Sequence, residues 1–266
     1  MFGVFIRSID ERTENLCFKS CVNEVDKENI FIIKNKYPAY LAYQEMFIKA
    51  KDKKYNWFLG LDADVILIPN WLSIAKKLKD NLDDGTWFVF SCAVRDKFLG
   101  MVDRGNHFYN GEHIDQALEI LENKTQYMIK PETSICKYIG HRDPHFSDRF
   151  IGYHGYEQYN KDILYRFWLQ AKRKRHLENI HLFLKNKDNN TNSDNDFNMA
   201  TLGWKYGKEN WFQYKMRALF PNLVKSYQSD ASIRDKLYSN YCKGNPEKEH
   251  LVLLYEKFIN ERSNEI

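Results

Sequence analysis

Four short β-rich runs separated by helix-length stretches fill the first hundred residues, and this alternation constrains the fold more than any other feature of the chain. Gly3-Val-Phe-Ile-Arg7 reads as a first strand, Ile30–Ile33 as a second, Trp57–Leu61 as a third and Trp87–Ser91 as a fourth. Between the first two, Asp10-Glu11-Arg12-Thr13-Glu14 supplies the early acids and polar caps of a helix start that runs on through Leu16 and Phe18. Tyr40 to Lys54 is rich in Ala, Glu, Met and Lys and predicts a second helix, and Pro69-Asn70-Trp71 opens a third that reaches about Leu82. Strands and helices alternating at this interval predict βαβ units. The expected fold class is therefore α/β: a Rossmann-like, mixed but mostly parallel sheet flanked by helices.

Beyond residue 100 the order loosens. Residues 103–113 form a polar stretch expected to be a loop, Asp115 to Glu122 a short helix and Tyr127 to Lys130 a strand. His141 to Gly155 reads as a loop containing His141, His145 and His154. Tyr156 to about Leu184 predicts one long helix, with Ile163, Leu164, Phe167, Trp168 and Ala171 as its apolar stripe. Residues 185–198 are nearly all polar and rich in Asn and Asp, the composition of a linker. The expected organisation is one domain over 1–184, with halves at about 1–100 and 101–184, then the 185–198 linker and a helical C-terminal extension over 199–266.

Composition narrows the class. With 266 residues, 43% apolar and 15% aromatic, the chain is neither disordered nor of low complexity. No apolar run approaches the ~18 residues that cross a bilayer. Met1-Phe2-Gly3-Val4-Phe5-Ile6 is ended by Arg7 without a preceding basic segment, and it reads as a strand rather than a signal peptide. Cys17, Cys21, Cys92, Cys136 and Cys242 are odd in number and lack Cys-x-x-Cys spacing. Cys17 and Cys21 read as two small hydrophobes on one helix, and a reducing, cytoplasmic location is expected. A net charge of +4 suits an anionic ligand without implying nucleic acid.

The sharpest local feature is Phe58-Leu-Gly-Leu-Asp62-Ala63-Asp64. Two carboxylates one residue apart follow an apolar strand, at the end where open α/β sheets bind ligands. Oxygen donors suit a hard divalent cation, which bridges readily to a diphosphate. The plainer alternative is a turn or a cap of the following helix. That helix starts near Asn70, which is far for a cap, and two unpaired acids beside an apolar strand are costly.

Placed so, the Asp-x-Asp of a βαβαβ half resembles that of the GT-A class of nucleotide-sugar glycosyltransferases. Phe150-Ile-Gly-Tyr-His154-Gly-Tyr-Glu157-Gln-Tyr resembles a segment of bacterial members of that class. The resemblance covers residues 1 to about 100, the nucleotide half, and more loosely runs to about 176. It implies a GT-A-like fold with Asp62 and Asp64 holding Mn²⁺ or Mg²⁺ against the donor diphosphate. It also implies a later histidine in the metal shell, His154 before its competitors His141, His145 and His176, and a carboxylate base for the acceptor hydroxyl. Glu157 stands in the interval for that base; the usual acidic pair is Glu157-Gln158 here, and Asp143 and Asp148 are alternatives. The donor nucleotide is expected near Ser8, Asp10 and Arg12, with Asp62 also touching the donor and Arg12 otherwise a solvated helix cation. Arg95, Asp103, Arg104 and His107 are expected on the sugar side.

What the resemblance implies is a metal-dependent transfer of sugar from a nucleotide-sugar to a saccharide or lipid-linked glycan in surface polysaccharide or glycoconjugate synthesis. Lys172-Arg-Lys-Arg-His176 reads either as a charged helix end or as a contact with anionic lipid at the inner face of the membrane. Two rival readings stand beside this one. Asp62-Ala-Asp64-Val65 also fits a magnesium-dependent phosphohydrolase of the haloacid dehalogenase type, although that motif ends the first strand of its fold. A non-enzymatic nucleic-acid binder would use the Tyr, Trp and Lys/Arg content, but no binding module is recognisable.

Overall fold

The computed structural model describes residues 1–36, 39–82, 87–124, 131–140, 145–156, 158–172 and 195–209. The chain divides into two compact units, the first made from residues 1–97 and 101–156, the second from 98–100 and the described residues beyond 157.

The first unit is a mixed sheet with helices on both faces. Its strands are β1 (Phe2–Ser8), β2 (Ile30–Lys34), β3 (Trp57–Asp62), β4 (Val65–Leu67), β5 (Val89–Asp96), β6 (Gly100–Val102), β7 (Asn106–Asn110) and β8 (His145–His154). Hydrogen-bonded neighbours run β2-β1-β3-β7-β5-β8-β4, and β6 pairs with β5. β1 is parallel to β2 and β3, and β5 to β8; β7 runs antiparallel to β3 and β5, and β4 antiparallel to β8. The α/β class and the four expected strands are thus present. β4, three residues long, is too short to stand out as a run in the sequence.

Period-two alternation builds the two cores. Val4, Ile6, Leu59, Leu61, Phe90 and Phe108 bury one face, where Trp71 of α3 (Trp71–Lys79) and Cys17 of α1 (Glu14–Val22) close on them. Phe5, Phe58, Val89 and Tyr109 bury the other, beneath Met46 and Phe47 of α2 (Ala39–Asp52), Leu121 of α4 (Ile114–Lys124) and Ile135 of α5 (Pro131–Ile139). Each such aromatic or aliphatic side chain contributes about 1.5–3 kcal/mol on burial.

Two stretches expected as loops are strands. Asn106–Asn110 forms β7, because Tyr109 packs into one core and Phe108 into the other, with the partly buried His107 on the same face as Tyr109. His145–His154 forms β8, whose first half is largely exposed and polar and whose second half, Ile151 to His154, is buried. Both are interior strands of the sheet; the buried Asn106 and Asn110 and the partly buried His107 mask the alternation of β7, and the exposed polar first half of β8 has no apolar period to read. The helix at 131–139 was not anticipated, and the expected strand at 127–130 lies outside the described residues.

In the second unit, α6 (Asn160–Lys172) starts four residues after the expected Tyr156 and buries Ile163, Leu164, Phe167, Trp168 and Ala171, the stripe legible in the sequence. It packs closely on α7 (Asn195–Glu209), where a Cβ on Gly203 would collide with the Leu164 carbonyl oxygen. Phe98 packs between Phe167 and Phe197 at centroid distances of 4.9 and 5.2 Å. Residues 195–198 of the expected linker are the first turn of α7, while 185–194 lie outside the described residues.

Candidate functional site

The strand directions bring chemistry-bearing residues to one edge of the sheet. β1, β3, β5 and β8 end there, at Ser8, Asp62, Asp96 and His154, and the antiparallel β4 and β7 begin there, at Val65 and Asn106. The carboxyl edge of parallel strands is where open α/β sheets hold ligands.

Asp62 is the last residue of β3 and lies in register with Arg7 of β1. Their side chains meet: Arg7 Nη2 donates to Asp62 Oδ1 at 2.8 Å. The Asp62 backbone N–H donates to the Gly105 carbonyl at 2.7 Å, and Ala63 N–H to the Arg7 carbonyl at 3.0 Å. Ala63 and Asp64 form the turn into β4. The acids do not cap α3. Glu24 does, accepting from Trp71 N–H at 3.1 Å and Leu72 N–H at 2.8 Å, because Asn70 is left-handed with φ 65°.

Asp64 faces His154. Asp64 Oδ2 lies 3.3 Å from His154 Nε2, and on the other side of the ring Nδ1 lies 2.6 Å from Asp96 Oδ2. Asp96 is 1% exposed and His154 7%. Main-chain bonds fix the group: Gly155 N–H donates to Asp64 O and Lys97 N–H to His154 O. Gly105 closes the floor in a left-handed conformation, φ 73°, and a Cβ there would stand 2.7 Å from Val65 Cγ2 and 3.5 Å from both Asp62 Oδ2 and His154 Cδ2. Buried Asn106 holds the neighbouring strand, exchanging 2.9 and 3.0 Å bonds with the Cys92 backbone.

The β1–α1 connection folds over this edge. Thr13 Oγ1 donates to the Ala63 carbonyl at 2.8 Å. Ser8 is buried, and its hydroxyl and the Ile9 N–H both donate to Glu11 Oε2. Asp10 is left-handed, φ 65°, and accepts from Asn35 Nδ2 at 3.1 Å. Burial, helped by the nearby Asp64 charge, pushes the Glu11 carboxyl up to about 7. Arg12 sits half-buried in the same connection.

Of the residues expected from the sequence, Asp62, Asp64 and His154 converge here, with Ser8, Asp10 and Arg12 in the adjacent loop. His107 does not point outward. It bonds Ser91 Oγ at 2.8 Å in a largely enclosed layer, and burial, with the Arg7 charge, lowers its pKa to about 4. His145 and Asp148 are exposed on the outer half of β8. Glu157, His141, Asp143, His176 and the basic run 173–175 lie outside the described residues. Sequence reading missed Arg7, Glu11, Asp96 and Gly105. Arg7 left one trace, a charge where the apolar alternation of Gly3 and Phe5 continues.

The donor set has the character a hard divalent cation takes: a carboxylate oxygen of Asp64, one imidazole nitrogen, and a carboxylate behind the imidazole. Among the described residues no group of three or more His, Cys, Asp and Glu is placed to hold a metal ion, so the protein offers at most a two-residue ligand set such as Asp64 and His154. A cation here would keep water or phosphate oxygens, as Mg²⁺ does. Among the same residues no helix is long and apolar enough to cross a membrane.

No protein-family model matches the chain. No curated protein matches it. Among solved structures, A197 from STIV is 14% identical with a TM-score of 0.40, covering 58% of this chain and 85% of that one. A glycosyltransferase involved in glycosylation of the major capsid of PBCV-1 is 14% identical with a TM-score of 0.36, covering 57% and 81%. TarS 1–349 from S. aureus is 11% identical with a TM-score of 0.37, covering 85% and 93%. Likeness of this degree carries no functional weight.

Proposed function

We propose that the chain is a metal-dependent glycosyltransferase that moves a sugar from a nucleotide-sugar donor to a saccharide or lipid-linked acceptor. One observation carries the reading: the Asp64–His154–Asp96 series beside Asp62 at the carboxyl edge of the sheet. With Nδ1 donating to Asp96, a neutral His154 turns an Nε2 lone pair toward the Asp64 carboxylate. Two lone-pair atoms 3.3 Å apart call for a positive species, and a proton or a metal ion supplies it. Asp64 and His154 would hold Mn²⁺ or Mg²⁺, which when bound neutralises the charge of a leaving diphosphate.

The chain's own residues do the rest. The Ser8–Thr13 connection, fastened to Ala63 through Thr13, sets the wall on the β1 side where the nucleotide would lie. Glu157, three positions after His154 in sequence, is the carboxylate proposed to take the acceptor hydroxyl proton. The surface-glycan role, and contact of the 172–176 run with anionic lipid, belong to the same proposal.

Thermal unfolding with a panel of nucleoside diphosphates and nucleotide-sugars, with and without Mn²⁺, tests it. The true donor raises the midpoint by mass action, and only with the metal. Asp64→Ala should lose that response while staying folded. Silence across the panel, with phosphate released from p-nitrophenyl phosphate in Mg²⁺, would turn the reading to a phosphohydrolase.

A further inference from the structure

We infer that Asp62 is the counter-ion of the buried Arg7 guanidinium, so that the two acids of the Asp-x-Asp part ways: Asp62 serves the fold, and Asp64 alone of the two meets a cation. The Asp64 half rests on the metal reading; the Arg7 half does not.

Arg7 sits where the β1 alternation of Gly3 and Phe5 would place an apolar side chain, over the core shared with α2, α4 and α5. Its side chain is 10% exposed. A guanidinium cannot shed its proton to escape such a layer, and a buried charge without a partner is costly. Burial works to lower the Arg7 pKa, but the surrounding Tyr43, Asp62, Tyr109 and Glu132 outweigh it and hold the group charged. Most of these give little direct bonding. Tyr43 offers its ring, with the centroid 4.5 Å from the guanidinium, and turns its hydroxyl to Glu132 Oε2 at 3.1 Å. Arg7 Nε and Nη1 and the Tyr109 hydroxyl are enclosed without a hydrogen-bond partner among the described residues. The charge-assisted bond that remains runs from Nη2 to Asp62 Oδ1 at 2.8 Å, and among the described residues Asp62 is the one carboxylate bonded to Arg7.

Strand register brings the pair together. Arg7 and Asp62 are partners in the parallel β1–β3 pairing, Ala63 N–H donates to the Arg7 carbonyl at 3.0 Å, and Asp62 N–H to the Gly105 carbonyl at 2.7 Å. Both main chains are fixed before the side chains meet. Asp64 is placed differently: its Oδ2 lies 3.3 Å from His154 Nε2. Among the described residues no third His, Cys, Asp or Glu, Asp62 included, joins that pair in a group that could hold a metal ion. A dication on Asp62 would also stand beside a guanidinium that stays charged, and like charges in a partly buried layer repel strongly. Arg7 and Asp62 instead cancel each other, which leaves a cation to Asp64, His154 and the oxygens of water or substrate.

The test pairs urea unfolding with titration of Mn²⁺ into the full chain, without donor, followed by electron paramagnetic resonance. Asp62→Ala strands the Arg7 charge, and the urea midpoint should fall by about 0.5–1 M, the half-exposed position of Asp62 tempering the loss. Arg7→Met/Asp62→Ala should recover much of it, because the stranded charge is gone. The double variant removes one charge of each sign, so the field at Asp64 barely changes. It should bind Mn²⁺ within ~2-fold of wild type, whereas Asp64→Ala should bind at least ~10-fold more weakly. An Asp62→Ala chain with the wild-type midpoint overturns the counter-ion assignment, and so does a double variant no more stable than Asp62→Ala. A folded double variant that loses Mn²⁺ as Asp64→Ala does returns Asp62 to the metal and overturns the Asp64 half. If Asp62→Ala does not fold, Asp62→Asn, which keeps one oxygen for Nη2, replaces it in the cycle and in the titration. Wild type that binds no Mn²⁺ overturns the metal reading and the Asp64 half with it, while the urea cycle decides the Arg7 half on its own.

Discussion

His154 Nδ1 stands 2.6 Å from the buried Asp96 carboxylate, at the side of the ring opposite Asp64. A histidine that ligates through Nε2 almost always gives its other N–H to such a group, which sets the tautomer and ring angle. Asp96 ends β5 and His154 ends β8, and the parallel register aligns the two residues. The pair is therefore a product of sheet topology, joining residues far apart in sequence.

Asp96→Asn keeps the shape but removes the charge that holds Nδ1–H. Mn²⁺ affinity should fall by ~10–100-fold, and stability by about 1–3 kcal/mol, because the amide leaves a buried group imperfectly paired. Calorimetric titration and urea unfolding of one variant measure both. Unchanged Mn²⁺ binding would remove Asp96 from the site.

Gly105→Ala meets two obstacles at once. A φ of 73° is strained for alanine, and the new Cβ would press on Val65 Cγ2. Stability should drop by about 1–3 kcal/mol, with weaker Mn²⁺ binding, since Gly105 O anchors Asp62 N–H. Val65→Ala in the same chain should return part of the stability by relieving the contact. Urea midpoints of the single and double variants check this; a neutral Gly105→Ala contradicts it.

If Glu157 is the acceptor base, Glu157→Gln keeps the size but cannot take the proton. Turnover should fall by ~10²–10⁴ while metal-dependent donor affinity barely moves. Collapse of donor affinity would instead make Glu157 a donor or metal ligand. Near wild-type turnover would shift the search to another carboxylate, such as Asp148.

The Asp-x-Asp edge was legible because apolar strands and intervening helices have distinct periods, and the acids end and follow a strand whose first five residues are all buried. Its supporting groups were not. Asp96 belongs to the site only through the β5–β8 pairing, and β8 begins as an exposed polar strand without a period to detect. Arg7 and Asp62 face each other through register, which a single strand cannot announce. His107 looked like a ligand-facing histidine in a polar loop, whereas the β7 alternation turns it inward onto Ser91. Gly105 reads as an ordinary loop glycine until its φ and its distance to Val65 are known.

Two partly buried groups near the site titrate in opposite senses, and this gives a pH prediction. Glu11 rises from 4.5 to about 7 in the fold, mainly through burial. Its enclosure is harmless while it is protonated, and stability is lost as pH climbs from the unfolded value through 7. His107 drops from 6.5 to about 4, again mainly through burial. Its contribution is intact above 6.5 and is lost as pH falls toward 4. Each effect amounts to at most about 3 kcal/mol. From roughly pH 4.5 to 6.5 the two slopes oppose each other, so their sum in the wild type is nearly flat. Glu11→Gln, which can still accept from Ser8 and Ile9, should expose a stability that rises with pH across that window. His107→Gln should expose one that falls with pH up to about 7. Urea unfolding of the three proteins at half-unit pH steps reads the slopes. Three parallel curves would mean that neither group is shifted in the fold, and slopes of the reverse sign would mean that Glu11 is stabilised as the anion.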